Sequence, residues 1–227
     1  MAAELLTTTP LIGIYTGRPQ KLADGRRSAM NKLPVRGTVA LTETGLEGDK
    51  VADGRFHGGP EQALHHYPAE RYAVWAARFP EIADALVPGS IGENIASFGL
   101  TEENVHIGDV YRWGEAEIEV SQPRMPCIKI NSRYGVEGLT EVIMETGHCG
   151  WYYRVLRTGT VTADEPLERL HRPETSVSLA EFWAVQNAHR PGIAALRRVA
   201  ESPRLADKWQ RKFQQRIRCL EKNAASE

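Results

Sequence analysis

Glu115-Ala116-Glu117-Ile118-Glu119-Val120-Ser121-Gln122-Pro123-Arg124-Met125-Pro126-Cys127 carries two signals in succession. Ala116, Ile118 and Val120 alternate with Glu115, Glu117 and Glu119. That period of two is expected of a strand with one face in a core and the other carrying carboxylates. The strand then runs into a turn in which two prolines fix the backbone around a guanidinium and deliver a thiol. The fold and the chemistry both hang on what surrounds this segment.

Outward from it, short strands are expected at 11–16 and 37–41. Glycine with Asp or Asn punctuates the region at Gly45, Gly48-Asp49, Gly58-Gly59, Gly92, Gly108-Asp109 and Gly114. Many short strands with turn signals point to a barrel or closed sheet rather than alternating βαβ units. Two helices interrupt it, one over 68–79 with Tyr72, Trp75, Ala76 and Phe79 on a stripe, and one over 138–146 ending at Gly147. After Pro173 the texture turns helical. Ser178 is placed to cap 179–186, Pro191 to open 192–200, and 205–220 repeats Leu205, Trp209, Phe213, Ile217 and Leu220 at spacings of three and four. Each of these helices is too short or too one-sided to stand alone, so they are expected to pack as a three-helix unit. The expected class is mainly β, a barrel with short helices at 1–170, followed by a small three-helix domain at 171–227. The last five residues, Asn223 to Glu227, read as a frayed end.

Composition narrows the class. The chain has 227 residues, 41% hydrophobic and 25% charged, enough for one large domain with or without an appendage. No run approaches the roughly 18 apolar residues of a membrane span. Met1-Ala2-Ala3-Glu4-Leu5-Leu6 lacks the basic flank and long apolar stretch of a secretory signal. Three scattered cysteines (Cys127, Cys149, Cys219) form no disulfide framework, so the cytoplasm is the expected location. The net charge of −1 hides an asymmetry: 11 Lys/Arg against 6 Asp/Glu from His171 onward. The basic tail is read either as attraction for an acidic partner or as the solvated side of a helical bundle. Nucleic-acid binding has no aromatic or helix-turn-helix signature behind it. Homodimerisation stays open.

Cys127 is the first candidate for chemistry. A thiolate is both nucleophile and metal ligand, and cations such as Arg124 and Lys129 favour it. The alternative is a buried free cysteine acting as a small hydrophobe, the role expected of Cys149. His57 precedes Gly58-Gly59-Pro60, where backbone amides can approach an anion. His65 and His66 are adjacent, so on a strand they face opposite ways and at most one shares a site with His57. A zinc site from His57, one of that pair and Cys127 is chemically conceivable, but the spacing matches no compact ligand motif. Glu93 and Asn94 offer hydrogen bonds to a polar heterocycle, and Arg124 suits a phosphate or carboxylate. With Lys129 and Asn131, these residues describe a pocket for an anionic, hydrogen-bond-rich ligand.

Thr42-Glu43-Thr44-Gly45-Leu46-Glu47-Gly48-Asp49, His57-Gly58-Gly59, Gly92-Glu93-Asn94, Gly108-Asp109 and the run from Ser121 to Cys127 occur in an order that resembles the MOSC family, named for the C-terminal domain of molybdenum cofactor sulfurase. Gly150-Trp151-Tyr152-Tyr153 and the C-terminal helices are similar to the bacterial subgroup associated with resistance to 6-hydroxylaminopurine. The resemblance spans about residues 11 to 220. It implies a MOSC-type β-barrel whose cleft binds the molybdenum cofactor, a pterin bearing a dithiolene and a phosphate. It implies Cys127 as the thiolate to molybdenum and as the catalytic residue. Arg124 and Lys129 would lie near the anionic cofactor, His57 near its entrance, and Glu93, Asn94 and Asn131 among its contacts. Position 65 is His where some relatives would carry a second cysteine, so a sulfur relay there is not expected.

The implied activity is an oxidoreductase that reduces N-hydroxylated bases or related xenobiotics. The sequence has neither a four-cysteine cluster nor a dinucleotide-binding glycine pattern. Electrons would therefore come in trans, from a ferredoxin or flavin reductase-type donor. The basic residues Arg197, Arg198, Arg211, Lys212 and Arg216 are the candidate docking surface. The competing reading is a non-catalytic carrier of the cofactor, or of sulfur on Cys127.

Overall fold

The alternation that begins at Ala116 is a strand, and it organises everything around it. In the computed structural model, which describes residues 8–55 and 57–224, nine strands form the principal sheet. They are β1 (Thr8–Thr9), β2 (Leu11–Thr16), β3 (Leu33–Val35), β4 (Leu64–Pro68), β5 (Ile95–Ser97), β6 (Val110–Trp113), β7 (Ala116–Pro123), β8 (Trp151–Arg157) and β9 (Leu167–His171). Their spatial order is β1-β9-β6-β7-β8-β4-β5-β2-β3. Pairing is antiparallel throughout except between β4 and β5. The sheet curls into an open half-barrel with β1 and β3 as edges, and Val39–Thr42, Gly45–Leu46 and Gly159–Val161 form a separate three-stranded sheet against it, with Glu115 N–H donating to the Thr160 carbonyl (3.2 Å). The Met1 to Leu6 reading and the last residues of the frayed-end reading, 225–227, lie outside the described residues.

Ala116, Ile118 and Val120 are fully buried, as their spacing predicts. The carboxylate face is less simple. Glu119 is buried too, because Arg154 Nη1 (2.5 Å) and Arg204 Nε (2.8 Å) both donate to it. Charge pairing, not solvent, accounts for this third glutamate. The β7–β8 register shifts between Val120 and Gln122, leaving Ser121 as an extra residue. Such a bulge re-aims the chain beyond it. Here it frees the Ser121 carbonyl to accept from Ala206 N–H (2.9 Å) and turns the following residues toward the site.

Among the described residues six α-helices complete the fold: α1 (Glu70–Arg78), α2 (Lys129–Tyr134), α3 (Leu139–Thr146), α4 (Leu179–Asn187), α5 (Ile193–Ala200) and α6 (Asp207–Ala224). The first predicted helix begins two residues later than expected because Pro68 closes β4. α2 was not expected: six residues with two prolines shortly upstream show no readable period. α4 opens with a capping box in which Ser178 accepts from Glu181 N–H and Glu181 accepts from Ser178 N–H. Such a cap contributes about 1 kcal/mol. Phe182 meets Trp209 and Phe213 edge-to-face at centroid distances of 4.8 and 5.2 Å, so α4 and α6 share one aromatic core. The last strand ends at His171 and the C-terminal helices start at Leu179, yet the hydrophobic core is continuous across that change.

Histidine burial gives this fold an acid sensitivity. Burial holds the His66 imidazole down to a pKa of about 3, and burial also lowers His57, His65, His106 and His148. An unfolded histidine titrates near ~6.5, so below that pH the unfolded chain binds protons that the folded one refuses. Stability is therefore full above pH ~6.5 and declines as pH falls toward the folded-state values. The urea midpoint should drop between pH 7.5 and 5; an unchanged midpoint would show that these imidazoles are not held neutral.

Candidate functional site

The turn that leaves β7 places Arg124 and Cys127 on the wall of a cavity of about 360 Å³. That lies within the ~300–1,000 Å³ usual for small-molecule sites. Loop 49–59, the start of β4, Gly92, Asn94 and Tyr152 of β8 complete the wall. Cys127 is partly exposed at the rim, just before α2, and its carbonyl accepts from Ile130 N–H (2.8 Å). Cys149 is the buried hydrophobe expected of it, its Sγ–H donating to the Ile143 carbonyl (3.2 Å), and Cys219 is exposed.

Arg124 is held at both ends. Its backbone N–H donates to the Gly150 carbonyl (3.0 Å) and its Nη2 to the Ile91 carbonyl (3.3 Å). Its Nη1 is buried and makes no hydrogen bond. A buried guanidinium with an open donor needs an acceptor, and an anion in the cavity is the natural one. Lys50 and Lys129 line the same wall.

His57 sits where Gly58 and Gly59 take φ values of 82° and 85°, a conformation that glycine adopts without strain. Burial lowers its pKa, with Arg124 and Lys129 adding repulsion, so His57 is neutral at pH 7 and can accept a hydrogen bond. His65 and His66 face opposite ways, as adjacent strand residues must. His65 lines the cavity, held well below its ordinary pKa by burial and by Arg124. His66 is in the core, bonded to Tyr153 Oη (3.0 Å) and Ser97 Oγ (2.9 Å).

Asn94 lines the cavity, but its amide is already engaged. Oδ1 accepts from His65 N–H (3.0 Å), while Nδ2 donates to Asp49 Oδ2 (2.8 Å) and the Tyr15 carbonyl (3.2 Å). Asp49 in turn accepts from Lys32 Nζ (2.5 Å) and Gly17 N–H (2.7 Å). This network stiffens its part of the cavity wall, with burial lowering the Lys32 pKa against the pull of Asp49.

Two expected cofactor contacts are elsewhere. Glu93 is fully buried and does not line the cavity; it accepts from Tyr72 Oη and from the N–H groups of Gly89 (2.5 Å) and Ile91 (3.1 Å). It staples the 88–92 loop, and burial raises its pKa. Asn131 also lies off the cavity. Its Oδ1 accepts from Thr140 N–H and Oγ1–H (both 2.8 Å) and its Nδ2 donates to Glu141 (2.9 Å), which ties α2 to α3. Lys32, Gln62 and Tyr152 are lining residues that residue type alone did not single out. Among the described residues, no group of three or more His, Cys, Asp or Glu side chains is arranged to hold a metal ion.

The basic residues of the tail are partly committed within the fold. Arg216 donates to the carbonyls of Val185, Gln186 and Ala188, so it closes the end of α4. Arg197 and Arg198 pair with Glu221 (2.6 Å) and Glu181 (3.3 Å), and Lys212 lies over the Trp209 ring. Among the described residues, no helix is long and apolar enough to cross a membrane.

Residues 53–168, which hold His57, Arg124 and Cys127, match the MOSC domain family. Protein YiiM of Escherichia coli (strain K12) is 43% identical over 90% of this chain and 91% of its own length. Its crystal structure superposes with a TM-score of 0.79, covering 93% of this chain and 92% of that one, at 38% identity. A protein named Reductase from Gibberella moniliformis is 35% identical over 85% of this chain, which spans 35% of that longer protein. With sequence, fold and site in agreement, the chain belongs to the MOSC domain family and groups within it with the YiiM proteins.

Proposed function

We propose that this chain binds the molybdenum cofactor in the cavity below Cys127 and acts as a reductase of N-hydroxylated bases and related compounds. The observation that carries the reading is the buried, open Nη1 of Arg124 in the same cavity as the one lining thiol among the described residues. An anionic pterin with a soft metal centre asks for that pairing of cation and sulfur.

The residues present fit the group. Cys127 would supply the thiolate, Arg124 the charged hydrogen bond to an anionic oxygen, and Lys50 and Lys129 further positive charge. The Gly58-Gly59 backbone leaves room for close approach, with no atom within 4 Å of where a Gly59 Cβ would stand. Once bound, the cofactor supplies a two-electron redox centre. The net reaction takes two electrons and two protons, breaks the N–O bond of R–NH–OH and yields R–NH₂ and water. The chain's own part is positional. Arg124 fixes the anion, neutral His57 accepts a hydrogen bond at the mouth, and the Asn94-Asp49-Lys32 network keeps its part of the wall from moving.

The fungal relative named Reductase, of which this chain spans 35%, supports the class of reaction. In this reading the electron donor is a separate acidic protein. Exposed Arg211 and its neighbour Lys212 offer the docking charge, whereas Arg197 and Arg198 are paired with glutamates and Arg216 is spent on α4. Cofactor-loaded protein should reduce 6-hydroxylaminopurine with reduced methyl viologen as electron source. Handover of cofactor to an acceptor enzyme without turnover would identify a carrier instead.

A further inference from the structure

A second cavity, of about 560 Å³, lies beside the first and shares His57, Gln62, Cys127, Lys129 and Tyr152 with it. Cys127 is thus shared by two adjoining chambers, the first one inner and the second outer. The outer chamber has a different character. Pro123, Pro126, Met125 and Ile128 give it an apolar side, the last two being 37% and 50% exposed although both are large hydrophobes. Exposed apolar side chains gathered at a cavity mark a place where something binds. A planar ring suits that surface.

Two polar features add detail. Gln62 Oε1, on a residue that lines both chambers, is a buried acceptor with no hydrogen-bond donor, so it calls for an N–H from the occupant. Lys129 and Lys208 supply two ammonium groups, against one lining carboxylate, Asp53. That carboxylate is already bonded to Arg55 Nε (3.0 Å) and Nη2 (2.8 Å). Glu61 attracts Lys208 but is already bonded by Arg154, and Asp53 attracts Lys129 but is already bonded by Arg55, so a neutral base would satisfy the apolar side and Gln62 and leave the excess positive charge without an anion.

Lys208 comes from the first turn of α6, outside the segment that matches the family. Its place is nevertheless fixed. Ala206 N–H is hooked on the Ser121 carbonyl, Arg204 on Glu119, Arg154 Nη2 on the Arg204 carbonyl (2.9 Å), and Trp209 is buried.

We propose that the outer chamber is the substrate pocket, that it takes a planar N-hydroxylated heterocycle joined to an anionic group, the chemistry of a nucleoside monophosphate, and that Lys208 recognises the anion. This rests on the reading that the cofactor fills the inner cavity. The C-terminal helices thereby become part of the substrate site and set its preference for charged over uncharged bases.

The test compares N6-hydroxyadenosine 5′-monophosphate with 6-hydroxylaminopurine on the cofactor-loaded enzyme, using reduced methyl viologen. Lys208→Ala should raise KM for the nucleotide roughly tenfold, the scale of one lost charge-assisted contact, and Lys208→Arg should restore it. KM for the uncharged base should move much less. Equal changes for both substrates, or none, would overturn the proposal. Should neither substrate turn over, the reductase reading fails, and calorimetry with adenosine 5′-monophosphate and adenine still decides this one. Tighter binding of the nucleotide, lost in Lys208→Glu, upholds it. A preference retained in Lys208→Glu but lost in Arg124→Ala would place the anion in the inner cavity and sink it.

Discussion

Cys127→Ala is expected to abolish turnover of N-hydroxylated substrate while leaving the protein folded. The side chain is partly exposed at the cavity, and the hydrogen bonds this residue makes among the described residues run through its carbonyl, not its sulfur. Stability should change by no more than about 1 kcal/mol, the range of substitutions that create no large cavity and strand no polar group. Activity should fall at least about a hundredfold, since removing even an outer-shell partner of a bound metal costs up to that much. Urea unfolding and the viologen-coupled assay read the two effects separately. A variant with wild-type turnover would remove the thiol from the mechanism.

Gly150→Ala should damage fold and site together. Gly150 takes φ 69°, and a Cβ there would lie 2.2 Å from the His66 carbonyl oxygen. Neither atom can withdraw easily, because His66 pairs with Trp151 across β4 and β8. The Gly150 N–H donates to Glu102 Oε1 (2.9 Å), and its carbonyl holds the Arg124 N–H. Left-handed strain of about 1–3 kcal/mol adds to a backbone clash of similar size, for a loss of about 3 kcal/mol or more. For a chain this long, that lowers Tm by about 6–12 °C. The surviving folded protein should also bind cofactor less well, because Arg124 is displaced with the Gly150 carbonyl. An unchanged Tm would mean the strand pair can shift without cost.

Much of this architecture is legible in the residues. Trp209, Phe213 and Ile217 are buried along α6 with Leu205 buried just before it, the helix starting two residues later than its period implies, and Ser178 caps α4 as its position before Glu181 implies. The approach of His57, Arg124 and Cys127 to one cavity follows from strand, turn and glycine signals taken together. What escaped has physical causes. Glu93 and Asn131 have the chemistry of binding residues, but residue type does not say whether a side chain points at a cavity or back into its own loop. Lys32 and Asp49 form a buried pair only because β2, Asn94 and the 45–50 turn converge, and nothing at a separation of 17 residues announces it. Lys129 and Asn131 lie on a helix too short to show a period, and Glu119 is buried because two arginines from distant segments reach it.

The most direct test is metal and pterin analysis of the protein purified from a host that makes molybdenum cofactor, beside its Arg124→Ala variant. Molybdenum and pterin are expected in stoichiometric amounts in the wild-type chain, and are expected to be lost when Arg124 can no longer hold the anion. Zinc in place of molybdenum, or a variant that keeps its full complement of pterin, would contradict this expectation.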